Sequence, residues 1–263
     1  MAIVHQAVYT EATFNRLRLY NGVMGFFHLA QAAAVFTLSN EFTLPITTSF
    51  ISGTPGAIIE TPPEVLVNLR LGPLVALFLL VSAVAHFTLV LPRVFGWYKR
   101  NLTKGINYTR WYEYSISASV MIVIIAMLSG MYDIASLILI FSLNASMILF
   151  GLVMEIHNQT TIKTNWTAFI CGCFAGIVPW IAIAIYFLGT VSATEGAVPT
   201  FVYFILGTLA VFFFSFAVNM VLQYKKVGPW RNYLFGESMY ILLSLVAKSA
   251  LAWQVFGGML ARG

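Results

Sequence analysis

Seven apolar runs of about twenty residues, near 16–38, 70–91, 107–129, 134–156, 166–188, 199–223 and 234–258, constrain this chain more than any other feature. Each is long enough to cross the hydrocarbon core of a bilayer as a helix, whereas open sheets and loops cannot satisfy their backbone groups in lipid. Only 9% of the 263 residues are charged and 60% are apolar; a soluble domain carries about 25% charged residues. The chain therefore reads as an all-α membrane protein, one seven-helix domain over residues 1–263. No internal repeat divides it. The first ten residues are mixed in character and no small-residue cleavage site follows a short apolar core, so the first span is expected to remain in place.

The distribution of Lys and Arg sets an expected orientation. Counting the N-terminal flank and the even-numbered connections, one side receives Arg16, Arg18, Arg93, Lys99, Arg100, Lys104, Arg110, Lys163, Lys225, Lys226 and Arg231, and the other only Arg70 and Arg262. Glu41, Glu60, Glu64, Asp133 and Glu195 fall on the basic-poor side. The N-terminus is thus expected in the cytoplasm and the C-terminus outside, in a multi-pass cell-membrane protein. The net charge of +5 is spread between spans rather than gathered in one patch, so no nucleic-acid partner is implied. Cys171 and Cys173, two apart in an apolar run and on opposite helix faces, suggest inert packing residues rather than a disulfide or metal site.

The connection over 39–69 is the one long linker. Its β-branched residues flank Gly53-Thr54-Pro55-Gly56, which favours a hairpin with a Gly/Pro turn on the outer surface, a plain extended loop being the alternative. Capping the outer face or mediating dimerisation would suit so long a loop.

The seventh run, YILLSLVAKSALAWQVF at 240–256, holds a lysine near its middle. A central lysine costs roughly 2.5–3.5 kcal/mol on insertion scales, so Lys248 must pair with an acid, face water or be converted covalently. Glu113 is the mid-membrane acid of the third run. At 1.5 Å per residue it lies about 9 Å into its helix and Lys248 about 20 Å into its own. Lys248 leans toward its own N-terminus and reaches about 6 Å that way, which brings the two levels together. His28 and His86 fall in the same half, and each is either part of a shared polar site or a simple interhelical hydrogen bond. Ser244 lies one turn before Lys248, while Ser117 and Met121 follow Glu113 by one and two turns. Pro179-Trp180, Phe212, Phe213, Phe214, Phe216 and Trp253 supply an aromatic lining suited to a long flat ligand, or ordinary core packing.

The runs SLVAKSALAWQ at 244–254, RWYEYSISASVMIVIIA at 110–126, NASMILFG at 144–151 and GIVPW at 176–180 resemble those of heliorhodopsins. The resemblance covers all seven spans, the long first outer loop and an orientation inverse to that of the familiar light-driven pumps. It implies all-trans retinal bound covalently to Lys248 as a protonated Schiff base, with Glu113 as counterion. It further implies that His28 and His86 join Ser82, Asn107 and Ser244 in a water-linked polar pocket that accepts the proton. Tyr114, Met121, Asn144, Met147, Trp180, Phe213 and Trp253 would lie along or near the chromophore. A homodimer and a cytoplasmic signalling partner are expected on the same ground. The family often shows a serine where this chain has Ala118 and an asparagine where it has Phe214, changes that bear on colour and photocycle speed.

Light-driven proton pumps generally carry a second carboxyl eleven positions after the counterion, and here that position is Ile124. A photoreceptor that is not an enzyme and moves no net ions is the expected function. A light-driven pump or channel is the alternative, and a retinal-free transporter or receptor gated by Lys248 and Glu113 a more distant one.

Overall fold

A computed structural model describes residues 9–50 and 62–260. Seven of its helices are long and apolar enough to cross a membrane. They are α1 (Glu11–Leu38), α2 (Leu71–Val90), α4 (Tyr108–Leu128), α5 (Ile134–His157), α6 (Thr167–Ala193), α7 (Thr200–Tyr224) and α8 (Tyr233–Leu260). The expected spans agree with these to within five residues at every boundary. Between α2 and α4 the structure adds an element that the seven apolar runs do not include, the short helix α3 (Pro92–Leu102). It opens on a proline at its first position, where the missing N–H costs no hydrogen bond. Phe95, Tyr98 and Leu102 are its buried face, while Lys99 and Arg100 stand in its last turn.

Side-chain caps fix where several helices start. Oγ1 of Thr10 accepts from Thr13 N, Asn107 accepts from Arg110 N, and Asp133 accepts from Ser136 N at 2.8 Å. The α4–α5 turn also depends on Gly130, whose φ of +98° closes α4 with Met131 N donating to Ala126 O. The two helices consequently run antiparallel with a very short connection.

The hairpin expected in the long loop is present. Strand β1 (Thr43–Thr48) pairs antiparallel with β2 (Glu64–Arg70), with a register shift between Ile46 and Thr47. The Gly53–Gly56 turn lies outside the described residues. Leu44 is buried against the bundle and Thr47 N donates to Tyr132 O in the α4–α5 turn, so the hairpin is seated on one end. That end is called the hairpin end below, and the opposite one, where α3 lies, the basic end.

Helix α4 runs through the middle of the bundle, with Ile124, Ala126 and Met127 wholly buried. The outer faces of the other helices expose Leu19, Phe26, Phe36, Leu139, Phe174 and Val211, the apolar perimeter that lipid requires. Cys171 and Cys173 belong to that perimeter rather than to the packed interior. Gly151 of α5 lets Trp111 of α4 lie against the backbone, since a Cβ there would sit 2.3 Å from the indole Cζ3. The indole cannot swing away freely, because Nε1 donates to Glu155 at 2.6 Å. Gly151→Ala is therefore expected to cost about 1–3 kcal/mol, read from unfolding in mixed detergent.

Candidate functional site

Lys248 and Glu113 meet in the interior. The ammonium donates to Glu113 Oε1 at 2.7 Å, with both side chains almost wholly buried. Ser82 of α2 stands between them, accepting from Lys248 at 2.5 Å and donating to the same carboxylate oxygen at 2.6 Å. The arrangement is a closed three-group ring, tighter than the looser polar pocket in which the sequence reading placed Ser82. The lean of the lysine toward the start of α8 is what brings it level with Glu113. Its nitrogen also lies 4.9 Å from the centroid of the Tyr114 ring, and Tyr114 donates to Tyr240 O at 2.8 Å, which holds that ring in place.

On one side of this ring lies a cavity of about 410 Å³. Tyr114 and Met121 of α4, Asn144 and Met147 of α5, and Trp180 of α6 line it. Phe213 of α7, together with Ser244 and Lys248 of α8, completes the wall on that side. Trp180 and Phe213 meet edge to face at 5.4 Å. Asn144 is not left unpaired, since its amide donates to Ser119 Oγ at 3.0 Å. Ala118 and Phe214 also face this cavity.

Other expected residues lie elsewhere. Trp253 is 42% exposed, and its indole donates to Gln31 of α1 at 2.9 Å. Five residues after Lys248 is roughly 140° around a helix, so it faces away from the cavity. Pro179 is buried inside α6 and removes one helix hydrogen bond beside Trp180 without lining the cavity itself. Ser117 is fully buried one turn along α4 from Glu113, also off the cavity wall. Asn107 caps α4 and donates to Glu237 at 2.5 Å, away from Lys248.

The two histidines stack with ring centroids 5.6 Å apart and planes 13° from parallel. His86 Nδ1 lies 2.8 Å from Asn21 Oδ1, and Asn21 spends its amide on Leu17 O. That oxygen must accept, so Nδ1 carries the hydrogen and Nε2 keeps a free lone pair. His28 is wholly buried, with neither ring nitrogen hydrogen-bonded among the described residues. A second, small cavity of about 20 Å³ brings His86 and Asn107 to a shared wall with Glu113, Tyr98 and Glu237.

The sequence reading missed the second charged centre. Arg110 places one guanidinium nitrogen against Glu237 and the other 2.5 Å from Glu155 Oε1, with all three side chains at most 3% exposed. In the sequence Arg110 counts only toward the orientation, and neither Glu155 nor Glu237 stands out as a site residue. The signal was available: three charges inside apolar runs, all at the same end.

A seven-helix membrane bundle with a buried lysine in the last helix, an acid from the third span beside it and an aromatic cavity adjoining both defines the rhodopsin class. The heliorhodopsin family model matches residues 17–260, and the chain belongs to the heliorhodopsin family. No curated protein matches it. Membership makes it a retinal-binding rhodopsin of the membrane.

Proposed function

We propose that the chain is a light sensor that holds all-trans retinal as an imine on Lys248, with Glu113 as counterion and no net ion transport. The observation that carries this reading is the position of Lys248 Nζ, buried at 2.7 Å from Glu113 Oε1 and on the wall of the 410 Å³ cavity. That volume falls in the range of about 300–1,000 Å³ usual for ligand sites. A Cβ at Gly176 would come 2.6 Å from Met147 Sδ and 3.2 Å from Phe213 Cζ, so glycine lets these two side chains close against the α6 backbone in the cavity wall. Bound there, retinal supplies visible absorption and a double bond that isomerises with light.

The remaining work belongs to side chains. Glu113 holds a proton on the Lys248 nitrogen by placing a negative charge beside it, and Ser82 fixes both partners. Any displacement of that nitrogen weakens the pair, and His86 Nε2 offers a nearby acceptor. Toward the hairpin end the core of α4 continues as Ile124, Ile125 and Met127. A proton released at Lys248 therefore returns to the side it left, which favours sensing over pumping. The basic end faces the cytoplasm on the charge rule, and the exposed Val65, Leu66 and Val67 of β2 offer a surface for a second copy.

The test is a visible spectrum of protein reconstituted with all-trans retinal, before and after hydroxylamine, followed by illumination of unbuffered vesicles. Colour that hydroxylamine bleaches, with no sustained pH change, is expected. Protein that stays transparent overturns the retinal linkage, and a sustained pH change collapsed by a protonophore establishes a pump instead.

Two substitutions sharpen this. Glu113→Gln is expected to move the absorption to longer wavelength, because the positive charge loses the carboxylate that localises it; an unchanged spectrum rules Glu113 out as counterion. Trp253→Phe is expected to leave the absorption maximum where it is, whereas Trp180→Phe shifts it, since Trp180 faces the cavity and Trp253 turns to Gln31.

A further inference from the structure

The centre around Arg110 has unequal charges. One guanidinium faces two carboxyls, Glu155 and Glu237, each 1% exposed. An uncompensated buried charge costs several kcal/mol, and a carboxyl so placed takes up a proton instead. The hydrogen bonds show which one can. Glu155 accepts from Arg110, Asn107 N, Trp111 Nε1 and Tyr233, so its oxygens are saturated by donors. Glu237 accepts one bond on each oxygen, from Asn107 Nδ2 and from Arg110. It also borders the 20 Å³ cavity, which is large enough for about one water.

We propose that Glu237 is a neutral carboxylic acid at neutral pH and a proton store that exchanges across the small cavity with the Glu113 side of the site. In the exchange the O–H bond of Glu237 breaks, and the proton is taken up at His86 Nε2 or a Glu113 oxygen. Glu237 is left as a carboxylate held by its hydrogen bonds from Asn107 and Arg110. The reverse transfer refills it. The groups facing Glu237 are Arg110, Glu113 and Tyr114 from α4, Glu155 from α5, His86 from α2, Tyr98 from α3, and Tyr233 and Tyr240 on α8 itself. Arg110 is the one among them that is always cationic, and Glu155 already claims it. The Tyr98 hydroxyl, buried on the cavity wall with no hydrogen-bond partner among the described residues, can relay the proton.

Nothing here depends on what fills the larger cavity, so this inference and the retinal reading fail separately. The test is infrared spectroscopy of the full chain in lipid nanodiscs, with glutamate labelled by carbon-13 at the side-chain carboxyl. At neutral pH the wild-type protein is expected to show the carbonyl band of a protonated acid, moving in D2O and converting to carboxylate as pH rises. Glu237→Gln is expected to abolish the band. Glu155→Gln, which removes one negative charge from the cluster, is expected to abolish it as well, because Glu237 then ionises against Arg110. A wild-type protein without the band overturns the proposal before any variant is made. So does a band that survives in Glu237→Gln, or one that Glu155→Gln leaves untouched.

Discussion

Lys248→Ala is expected to give a protein that stays colourless with all-trans retinal, a complete loss rather than a shift. A secondary amide or hydroxyl cannot replace the amine, and among the described residues Lys248 is the only lysine on the wall of the 410 Å³ cavity. The substitution also strands Glu113, whose carboxylate then lacks its one cationic partner and takes up a proton to avoid an unpaired buried charge. Colour alone would therefore confuse loss of attachment with loss of fold. Lys248→Arg separates the two, since a guanidinium keeps the charge beside Glu113 but forms no imine under these conditions. Both variants are expected to be colourless, while the arginine variant keeps more of the thermal stability. Colour in either one would remove Lys248 from the account.

What the sequence disclosed depends on the length scale of each signal. Runs of about twenty apolar residues are set by bilayer thickness, so all seven spans were legible, and Lys248 with Glu113 stood out because charge is costly at mid-span. The lean of a helical side chain was enough to place them together. Trp253, expected near the chromophore by resemblance, sits about 140° around α8 from Lys248, and that angle turns its indole to α1. Helix α3 was missed because eleven residues that open on a single proline, Pro92, are too short to register in a search tuned to membrane lengths. Its buried face, Phe95, Tyr98 and Leu102, follows helical spacing nonetheless. Asn107, grouped by resemblance with the histidines in a polar pocket, shares the small cavity with His86, and its position just before α4 also marks it as a cap. The Arg110 centre was hidden for a different reason. Charges near span ends are ordinarily solvated or at the headgroups, and nothing in a single run says that three helices turn theirs inward at the same level.

That centre carries the largest stability effect expected in the molecule. Removing one partner from a buried, hydrogen-bonded ion cluster typically costs about 3–5 kcal/mol, because the remaining charge keeps its desolvation penalty and loses its compensation. In Arg110→Ala, Glu155 keeps its bonds from Asn107 N, Trp111 and Tyr233 but has no cation, and Glu237 keeps only Asn107. The same guanidinium stacks on the rings of Trp111 and Tyr240, at 4.4 and 4.0 Å from their centroids, so packing between α4 and α8 is lost with the charge. Unfolding in mixed detergent should show the full penalty in Arg110→Ala. Neutralising the acids as well, in Arg110→Ala/Glu155→Gln/Glu237→Gln, should recover a substantial part of it, since no buried charge is then left without a partner. If the single variant unfolds with the wild type, water reaches the cluster and its charges are not buried in the way the geometry describes. If the triple variant is no better than the single one, the loss comes from the stacked rings alone, and the hydrogen bonds that Arg110 makes to Glu155 and Glu237 contribute little to holding the basic end together.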